Sequence, residues 1–130
     1  MILRRLLLFL PLAFAVAACA PVMPVGPAVT TETSEFRVEA YRDVRGGRPV
    51  AVGYVYNKWT LLATHVQLRV ETLDAAGAVT ASAGRFLDRD INPNDRVYFE
   101  VTPGADGPAY RVTVTYVSWQ PGGGGAGGGM

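Results

Sequence analysis

The sequence predicts an all-β protein, a small antiparallel β-sandwich of six or seven strands. Segments in which apolar and polar residues alternate recur between positions 35 and 120, and this period of two is typical of half-buried strands. Turns rich in Gly, Pro and Asn separate the segments, and no stretch carries a sustained helical period. Short strands joined by such turns favour two packed antiparallel sheets.

Composition divides the chain into four segments. We expect a signal peptide with its helix at residues 1–18, a lipidated cysteine and proline-rich tether at 19–34, the β-sandwich at 35–120 and a disordered glycine-rich tail at 121–130. The tether has prolines at 21, 24 and 27, and such segments are extended, rising about 3.1 Å per residue. The tail has almost no side chains to bury, and ordering its glycines would cost entropy.

The first segment has the composition of an export signal. Arg4 and Arg5 form a basic region, and the apolar run Leu6–Ala18 follows it. This run is too short to cross a bilayer as a helix, which needs about 20 residues. Its length suits the apolar part of a secretory signal that ends at a small-residue cleavage site.

The segment Val16–Cys19 resembles the lipobox of bacterial lipoproteins. The resemblance implies cleavage between Ala18 and Cys19 and attachment of acyl chains such as palmitate to Cys19. Because Cys19 is the only cysteine, an exported chain would otherwise carry a free or intermolecular thiol. In that family, Ala20 in place of Asp implies transport to the outer membrane. Ordinary secretion stays open, since residues 15–17 and 18–20 also fit an A-x-A cleavage site.

The charge balance argues against a nucleic-acid partner. The whole chain has a formal net charge of +1, and cleavage would remove two arginines, leaving 112 residues with a charge of −1. Such a chain has no basic footprint for nucleic acid and no polybasic patch for anionic lipid. The one basic cluster, Arg42, Arg45 and Arg48, is interrupted by Asp43 and is expected to be a solvated loop.

The first half of the sandwich segment contains three predicted strands. Residues 35–40 alternate charged and apolar side chains, and a turn is expected over 43–49, where Gly46 and Gly47 lie. Val50–Asn57 is apolar on both parities, which predicts a central strand, and its Gly53 indicates a bulge or a close backbone approach. The third strand is expected to turn Val66, Leu68, Val70 and Thr72 to one face and His65, Gln67, Arg69 and Glu71 to the other.

The second half continues the pattern. Asp74–Gly77 predicts a hairpin loop, after which residues 78–86 are expected to pair antiparallel with the third strand. Ile91–Asp95 predicts a turn with Pro93 and Asn94 at its corner positions. Two final strands are expected, one at 96–102 with Val97, Phe99 and Val101 inward, and one ending near Trp119 with Tyr110, Val112, Val114 and Tyr116 on one face.

Residues 48–102 resemble the FxLYD-type immunoglobulin-like domains of bacterial envelope proteins. The resemblance rests on the segment 52–57, the strand 66–70 leading to Leu73–Gly77, and the turn 91–93 before Phe99–Val101. Asn94 departs from the Gly that this family usually has after the turn proline. The resemblance implies a sandwich without enzymatic activity, and it implies no ligand.

The sequence offers few residues that could act in catalysis. His65 is the only histidine, and it falls on the polar parity of its strand. The serines at 34, 82 and 118 have no nucleophile-elbow context, and Cys19 is assigned to the anchor. We therefore expect no enzyme and no cofactor. A small hydrolase or ligand carrier with a pocket near His65 stays as the alternative.

The acidic stretch 88–95 is a candidate calcium site, because oxygen-bearing side chains recur along it. An EF-hand loop needs Gly at its sixth position and a carboxylate at its twelfth. Counted from Asp88, those positions hold Pro93 and Phe99. We expect a plain polar turn and no metal, and a looser calcium site stays as the alternative.

Aromatic residues are the best indication of a binding surface. Tyr54 and Tyr56 share one parity, Trp59 follows their strand and Trp119 ends the last strand. On one exposed surface they would form an aromatic anchor of the kind that binding sites favour. The alternative is that they close the open end of the core, because large aromatic residues are mostly buried.

These patterns predict a lipid-anchored bacterial envelope protein whose sandwich is a non-enzymatic binding module. We expect it on the membrane through the lipid on Cys19, in the outer membrane facing the periplasm. Its expected partner is another envelope protein or a cell-wall component, and not nucleic acid. A purely structural spacer stays as a further alternative.

Overall fold

The computed structural model describes residues 27–121, and they form an all-β domain without helices. Its seven strands are β1 (Val29–Glu32), β2 (Phe36–Arg45), β3 (Arg48–Asn57), β4 (Leu62–Leu73), β5 (Val79–Phe86), β6 (Arg96–Val101) and β7 (Ala109–Gln120). The predicted fold class is confirmed. The signal peptide, Cys19, the first half of the tether and the tail beyond residue 121 lie outside the described residues.

Two antiparallel sheets make up the sandwich. The four-stranded sheet has the order β1-β2-β3-β6, and the three-stranded sheet has the order β5-β4-β7. This two-sheet architecture is the part of the predicted immunoglobulin-like fold that the structure shows. The strand order is different, since the second strand of immunoglobulin constant domains pairs with the fifth, whereas β2 pairs here with β3.

The core lies between the sheets and is built by the alternation that the sequence shows. Leu68 and Val70 of β4 are fully buried, as is Val112 of β7, which lies opposite Val70. The predicted inward residues of β6 are confirmed, with Val97 and Phe99 buried and Val101 packed against the core. Burial of these side chains is the main favourable contribution to folding.

The domain begins earlier than the predicted boundary at residue 35. Residues 29–32, which the sequence analysis placed in the tether, form β1 and pair with β2. The Thr31 hydroxyl also donates a 2.8 Å hydrogen bond to the Val112 carbonyl of β7, which joins the two sheets. The prolines that disfavour regular pairing end at residue 27, so the β-branched residues after it are free to enter a ladder.

The turn expected over residues 43–49 is shorter than predicted. Strands β2 and β3 pair as far as Arg45 and Arg48, which leaves only Gly46 and Gly47 between them. Both glycines have positive φ, 56° and 77°, and a two-residue hairpin with two positive φ angles matches the twist of its strands. Side chains at 43–45 therefore lie on a sheet and not in a solvated loop.

The face predicted for β7 is correct at Tyr110, Val112 and Val114 and wrong at Tyr116. The ladder pairs Leu68 with Val114 but Gln67 with Tyr116, so β7 contains one extra residue at this point. A bulge of this kind exchanges the inward and outward parities beyond it. Tyr116 is consequently 55% exposed.

Candidate functional site

The outer face of the four-stranded sheet gathers tyrosine side chains. Val55 points into the core, so Tyr54 and Tyr56 on either side of it point outward. The register of β3 with β6 places Tyr54 opposite Tyr98 and Tyr56 opposite Arg96. On the other side of β3, Arg37 of β2 lies opposite Tyr56.

The three tyrosine rings pack against one another. The ring centres of Tyr54 and Tyr98 are 5.7 Å apart in an edge-to-face arrangement, and those of Tyr54 and Tyr56 are 6.3 Å apart. Distances of 4.5–7 Å are those of attractive aromatic pairs. Tyr54 and Tyr56 are half-buried, whereas Tyr98 is 44% exposed, so the cluster is rigid at its base and open at its top.

Two guanidinium groups complete the cluster. The Cζ atom of Arg96 lies 4.4 Å from the Tyr54 ring centre and 5.8 Å from that of Tyr56, and Arg37 lies 5.1 Å from Tyr56. Arg96 also donates a 3.2 Å hydrogen bond to the Tyr56 hydroxyl, which raises the pKa of Arg96. These are cation–π geometries. We call Arg37, Tyr54, Tyr56, Arg96 and Tyr98 together the Tyr/Arg surface.

Carboxylates balance the cations around this surface. Glu39 accepts a hydrogen bond from Arg37, and Glu32 lies 3.9 Å from the same guanidinium. At the other end of the sheet, Arg45 is 3.2 Å from Glu100 and 2.5 Å from Asp43. The charges around the Tyr/Arg surface are therefore of both signs.

Two valines of β3 lie on the same outward face as Tyr54 and Tyr56. They explain why this strand is apolar on both faces. Val50 and Val52 are only 8% and 6% exposed. Val52 lies opposite Tyr41 of β2 and Glu100 of β6. The central position predicted for this strand is confirmed, and neighbouring side chains of the same sheet cover its second face.

The four aromatic residues predicted as a binding surface do not lie together. Tyr54 and Tyr56 share the Tyr/Arg surface, whereas Trp119 packs against the core and stacks on Phe36 with ring centres 5.3 Å apart. Trp119 therefore closes the core, as in the alternative interpretation. Trp59 is 41% exposed in the loop after β3. Its amide donates a 2.9 Å hydrogen bond to the Asn57 side chain.

Sequence reasoning missed Arg37, Arg96 and Tyr98. Their parity within each strand was readable, since Val97 and Phe99 were correctly turned inward and Tyr98 lies between them. The sequence alone does not show that β3 pairs with both β2 and β6. Only that register brings these side chains beside Tyr54 and Tyr56.

Asn57 fixes the chain beside the Tyr/Arg surface. Its side chain is buried and donates to the carbonyls of Leu61 and Ile91 at 2.8 and 3.0 Å. Its own backbone amide donates to the Asp95 carbonyl at 2.9 Å. The end of β3 is thereby joined to the turn that leads into β6, which holds Tyr56 and Arg96 in register.

His65 lies at an irregularity of β4 and is exposed. Its φ of 50° falls at the register shift between Thr64 and Gln67, and its Nδ1 atom is 3.2 Å from the Thr64 hydroxyl. Two open grooves of about 430 and 440 Å³ lie at the sides of the sandwich. His65 lines neither of them.

The stretch 88–95 forms a turn, as predicted, with Asn94 at a φ of 58°. The Ile91 carbonyl accepts hydrogen bonds from the Ala63 amide and from the Asn57 side chain. Within residues 27–121, no three His, Cys, Asp or Glu side chains are grouped so that they could hold a metal ion.

No helix among the described residues has the length and hydropathy that a membrane crossing requires. A search of protein-family models finds no match to the chain, and comparisons with curated proteins and with solved structures find none either.

Proposed function

We propose that this protein is a lipid-anchored envelope protein whose β-sandwich binds another envelope protein through the Tyr/Arg surface, without enzymatic activity. The observation that carries the proposal is the packing of Tyr54, Tyr98 and Arg96 on the solvent side of the four-stranded sheet. A solvated sheet face is usually polar, so a cluster of rings and guanidinium groups there is unusual.

The composition of the surface favours a protein partner. Tyrosine and arginine are enriched among the residues that dominate binding energy at protein interfaces. A tyrosine ring also offers a large contact area with only two side-chain torsions to fix on binding. The balanced charges around the rings suit a polar rim of the kind that surrounds the centre of such interfaces.

The outer face of the three-stranded sheet has a different composition, so the proposal assigns binding to one face of the sandwich. On the outer side of the three-stranded sheet, Glu71 forms an ion pair with Arg111 at 3.2 Å and lies 3.9 Å from Arg69. The bonds from Arg111 lower the pKa of Glu71, so the carboxylate stays charged. This face has the ordinary character of a solvated sheet, and its exposed Tyr116 gives a matched control.

The anchor would set where the binding takes place. Lipidation of Cys19 followed by a proline-rich tether would hold the sandwich close to the membrane. Several acyl chains at one terminus give stable attachment, whereas one chain gives only marginal binding. We propose the periplasmic side of the outer membrane, on the lipobox resemblance and on Ala20 after the modified residue.

Co-purification tests the proposal. The full-length protein is solubilised in detergent from its native envelope, together with the variants Tyr54→Ala and Tyr116→Ala. We expect one protein partner at near-equal stoichiometry with the unaltered chain and with Tyr116→Ala, and its loss with Tyr54→Ala. Truncation of a central interface tyrosine commonly costs about 2 kcal/mol or more of binding free energy.

Two further results bear on the proposal. A Cys19→Ser variant that no longer recovers the partner from the envelope would support the role of the anchor. Equal recovery of the partner with Tyr54→Ala, once a melting curve has shown that the variant is folded, would contradict the Tyr/Arg surface as the binding site. Recovery of cell-wall polymer without protein would contradict the protein partner.

A further inference from the structure

Strand β6 is an edge strand whose outward backbone groups face away from the sheet. It pairs with β3 on one side only. The Asn57 amide donates to the Asp95 carbonyl, so Asp95 faces β3. Because antiparallel ladders alternate, the backbone N–H and C=O groups of Arg96, Tyr98 and Glu100 face the open side. The Thr102 carbonyl follows this alternation and accepts a 2.9 Å hydrogen bond from Arg85.

A groove of about 430 Å³ runs along this edge. One wall is formed by residues 86–89, at the end of β5 and directly after it, and the other by residues 98–101 of β6. Phe86 is 74% exposed and Tyr98 is 44% exposed. The two exposed rings supply apolar area at the groove that a second chain could cover.

The opposite edge of the same sheet is protected. Strand β1 has four residues, and Thr31 bonds it to β7. Proteins usually guard edge strands by shortness, proline, bulges or coverage. Strand β6 has neither a proline nor a register shift with β3. The strand carries Arg96 and Glu100, two charges of opposite sign, and Arg85 bonds only the Thr102 carbonyl just past its end.

We propose that β6 pairs antiparallel with β6 of a second copy of this chain, across a two-fold axis at Tyr98. This register places Arg96 opposite Glu100 of the second copy, and Glu100 opposite the Arg96 of that copy. Centring the pairing on Arg96 or on Glu100 instead would set like charges against each other, which is unfavourable. The charges on this strand therefore select one register of self-pairing.

The backbone agrees with that register. Arg96, Tyr98 and Glu100 all present their N–H and C=O groups outward, so the paired strands would exchange about six hydrogen bonds. The Glu100 side chain is 40% exposed beside Arg45 and can accept a second cation. Phe86 adds apolar area on the neighbouring wall of the groove.

The result would be a continuous eight-stranded sheet, four strands from each copy. Two Tyr/Arg surfaces would then lie side by side on one face, with the two Tyr98 rings between them. The pairing is isologous and closes on itself, so it yields a dimer and not a fibre. It does not rest on the proposed envelope partner, and Tyr54→Ala is expected to leave it intact.

Disulfide cross-linking of the full chain tests the proposal. In the hydrogen-bonded pair of Tyr98 with its copy, the Cα atoms would be about 5.5 Å apart, which is within disulfide range. We expect Tyr98→Cys to give covalent dimers under mild oxidation in membranes. Tyr116→Cys, at a somewhat more exposed position on the other sheet, should stay at the baseline of the parent chain, whose only cysteine is Cys19.

Charge reversal tests the register. In the Tyr98→Cys chain, we expect Arg96→Glu and Glu100→Arg each to reduce the yield of cross-linked dimer about tenfold, because each sets like charges opposite in two symmetric pairs. The double reversal should restore the yield. A yield that is the same for Tyr98→Cys and Tyr116→Cys, or that the single reversals leave unchanged, would overturn the pairing.

Sedimentation of the unaltered chain in detergent tests the proposed dimer without any substitution. We expect a concentration-dependent change from one to two copies. A single copy at all concentrations would overturn the proposal even if a substituted chain failed to fold.

Discussion

Asp106, in the loop between β6 and β7, holds one end of the sandwich together. Its carboxylate accepts two hydrogen bonds from Arg42 of β2, at 2.9 and 2.8 Å, and one from the Tyr110 hydroxyl of β7 at 2.7 Å. The Arg42 bonds, with the Tyr110 bond after them, hold the pKa of Asp106 well below its ordinary value. Arg42 was expected in a solvated loop, and that prediction is wrong because β2 extends past it.

The lowered pKa of Asp106 gives stability a pH dependence. The carboxylate ionises more readily in the folded than in the unfolded chain, so its contribution is complete above about pH 4 and is lost as the pH falls below that value. We expect Asp106→Asn to reduce the free energy of unfolding by about 1 kcal/mol at pH 7, a modest value because Asp106 is half exposed. Urea unfolding at several pH values measures it.

Asp90→Asn, at an exposed position of the 88–95 turn, is the control for this change. We expect it to leave unfolding at pH 7 within about 0.5 kcal/mol of the parent chain. Asp106→Asn should also remove part of the decline in stability below pH 4. An unchanged acid profile in that variant would show that the Arg42 and Tyr110 contacts contribute nothing.

The pKa of Tyr110 is shifted in the opposite direction from that of Asp106. Burial, reinforced by the bond to Asp106, raises the pKa of Tyr110 to about 12. The neutral hydroxyl is thus favoured in the folded chain, and its contribution is present below the unfolded pKa of about 10 and is lost as the pH rises toward 12. Strand alternation predicted that Tyr110 shares one face with Val112 and Val114. Its hydrogen-bond partner was not predicted, because Asp106 lies in a loop without a period.

At the scale of strands, the close approach of β2 and β3 depends on Gly53. A Cβ atom at this position would overlap the carbonyl oxygen of Glu39, whereas a Cβ at Gly84 of β5 would meet only the Gln67 side chain at 3.7 Å. The sequence predicted either a bulge or a close approach at Gly53, and the close approach is confirmed.

Alanine substitution separates the two glycines. We expect Gly53→Ala to lower the free energy of unfolding by about 2–4 kcal/mol, because a rigid backbone must move to relieve the overlap. Gly84→Ala should change it by about 0.5 kcal/mol or less. Denaturant unfolding measures both. Equal effects would mean that β2 and β3 are not held at this distance.

The positions of strands could be predicted from local alternation of apolar and polar residues. The face of a residue was predicted wrongly where it depends on pairing with a distant strand. The faces of residues 66–72 and 97–101 were predicted correctly, because the inward residues of each range keep one parity. Tyr116 was misplaced because the extra residue in β7 is defined only against Gln67 and Leu68 of β4. The start of β1 was missed because four residues are too few to show a period.

At the scale of the whole molecule, the two-sheet architecture followed from turn spacing, but the strand order did not. Pairing of β3 with β6 joins residues 40 to 50 positions apart, and nothing in local composition selects it. The same limit applies to the Tyr/Arg surface. Tyr54 and Tyr56 were identified because they are two apart in one strand, whereas Tyr98 and Arg96 become neighbours only through that pairing.

The sandwich has two outer faces of different character. The four-stranded sheet carries rings and guanidinium groups over buried Val50 and Val52, and the three-stranded sheet carries ordinary ion pairs such as Glu71 with Arg111. Folding alone does not require such a difference, since both faces meet solvent. The central claim is therefore that the Tyr/Arg face is the one that contacts a protein partner.

Site-specific photo-crosslinking in intact cells tests this claim most directly. A photoreactive phenylalanine derivative replaces Tyr56 on the Tyr/Arg surface or Tyr116 on the opposite sheet, and the adducts are resolved by mass. We predict one discrete adduct with another envelope protein from position 56 and none from position 116. Adducts from position 116 alone, or none from either position in a folded and anchored chain, would contradict the claim.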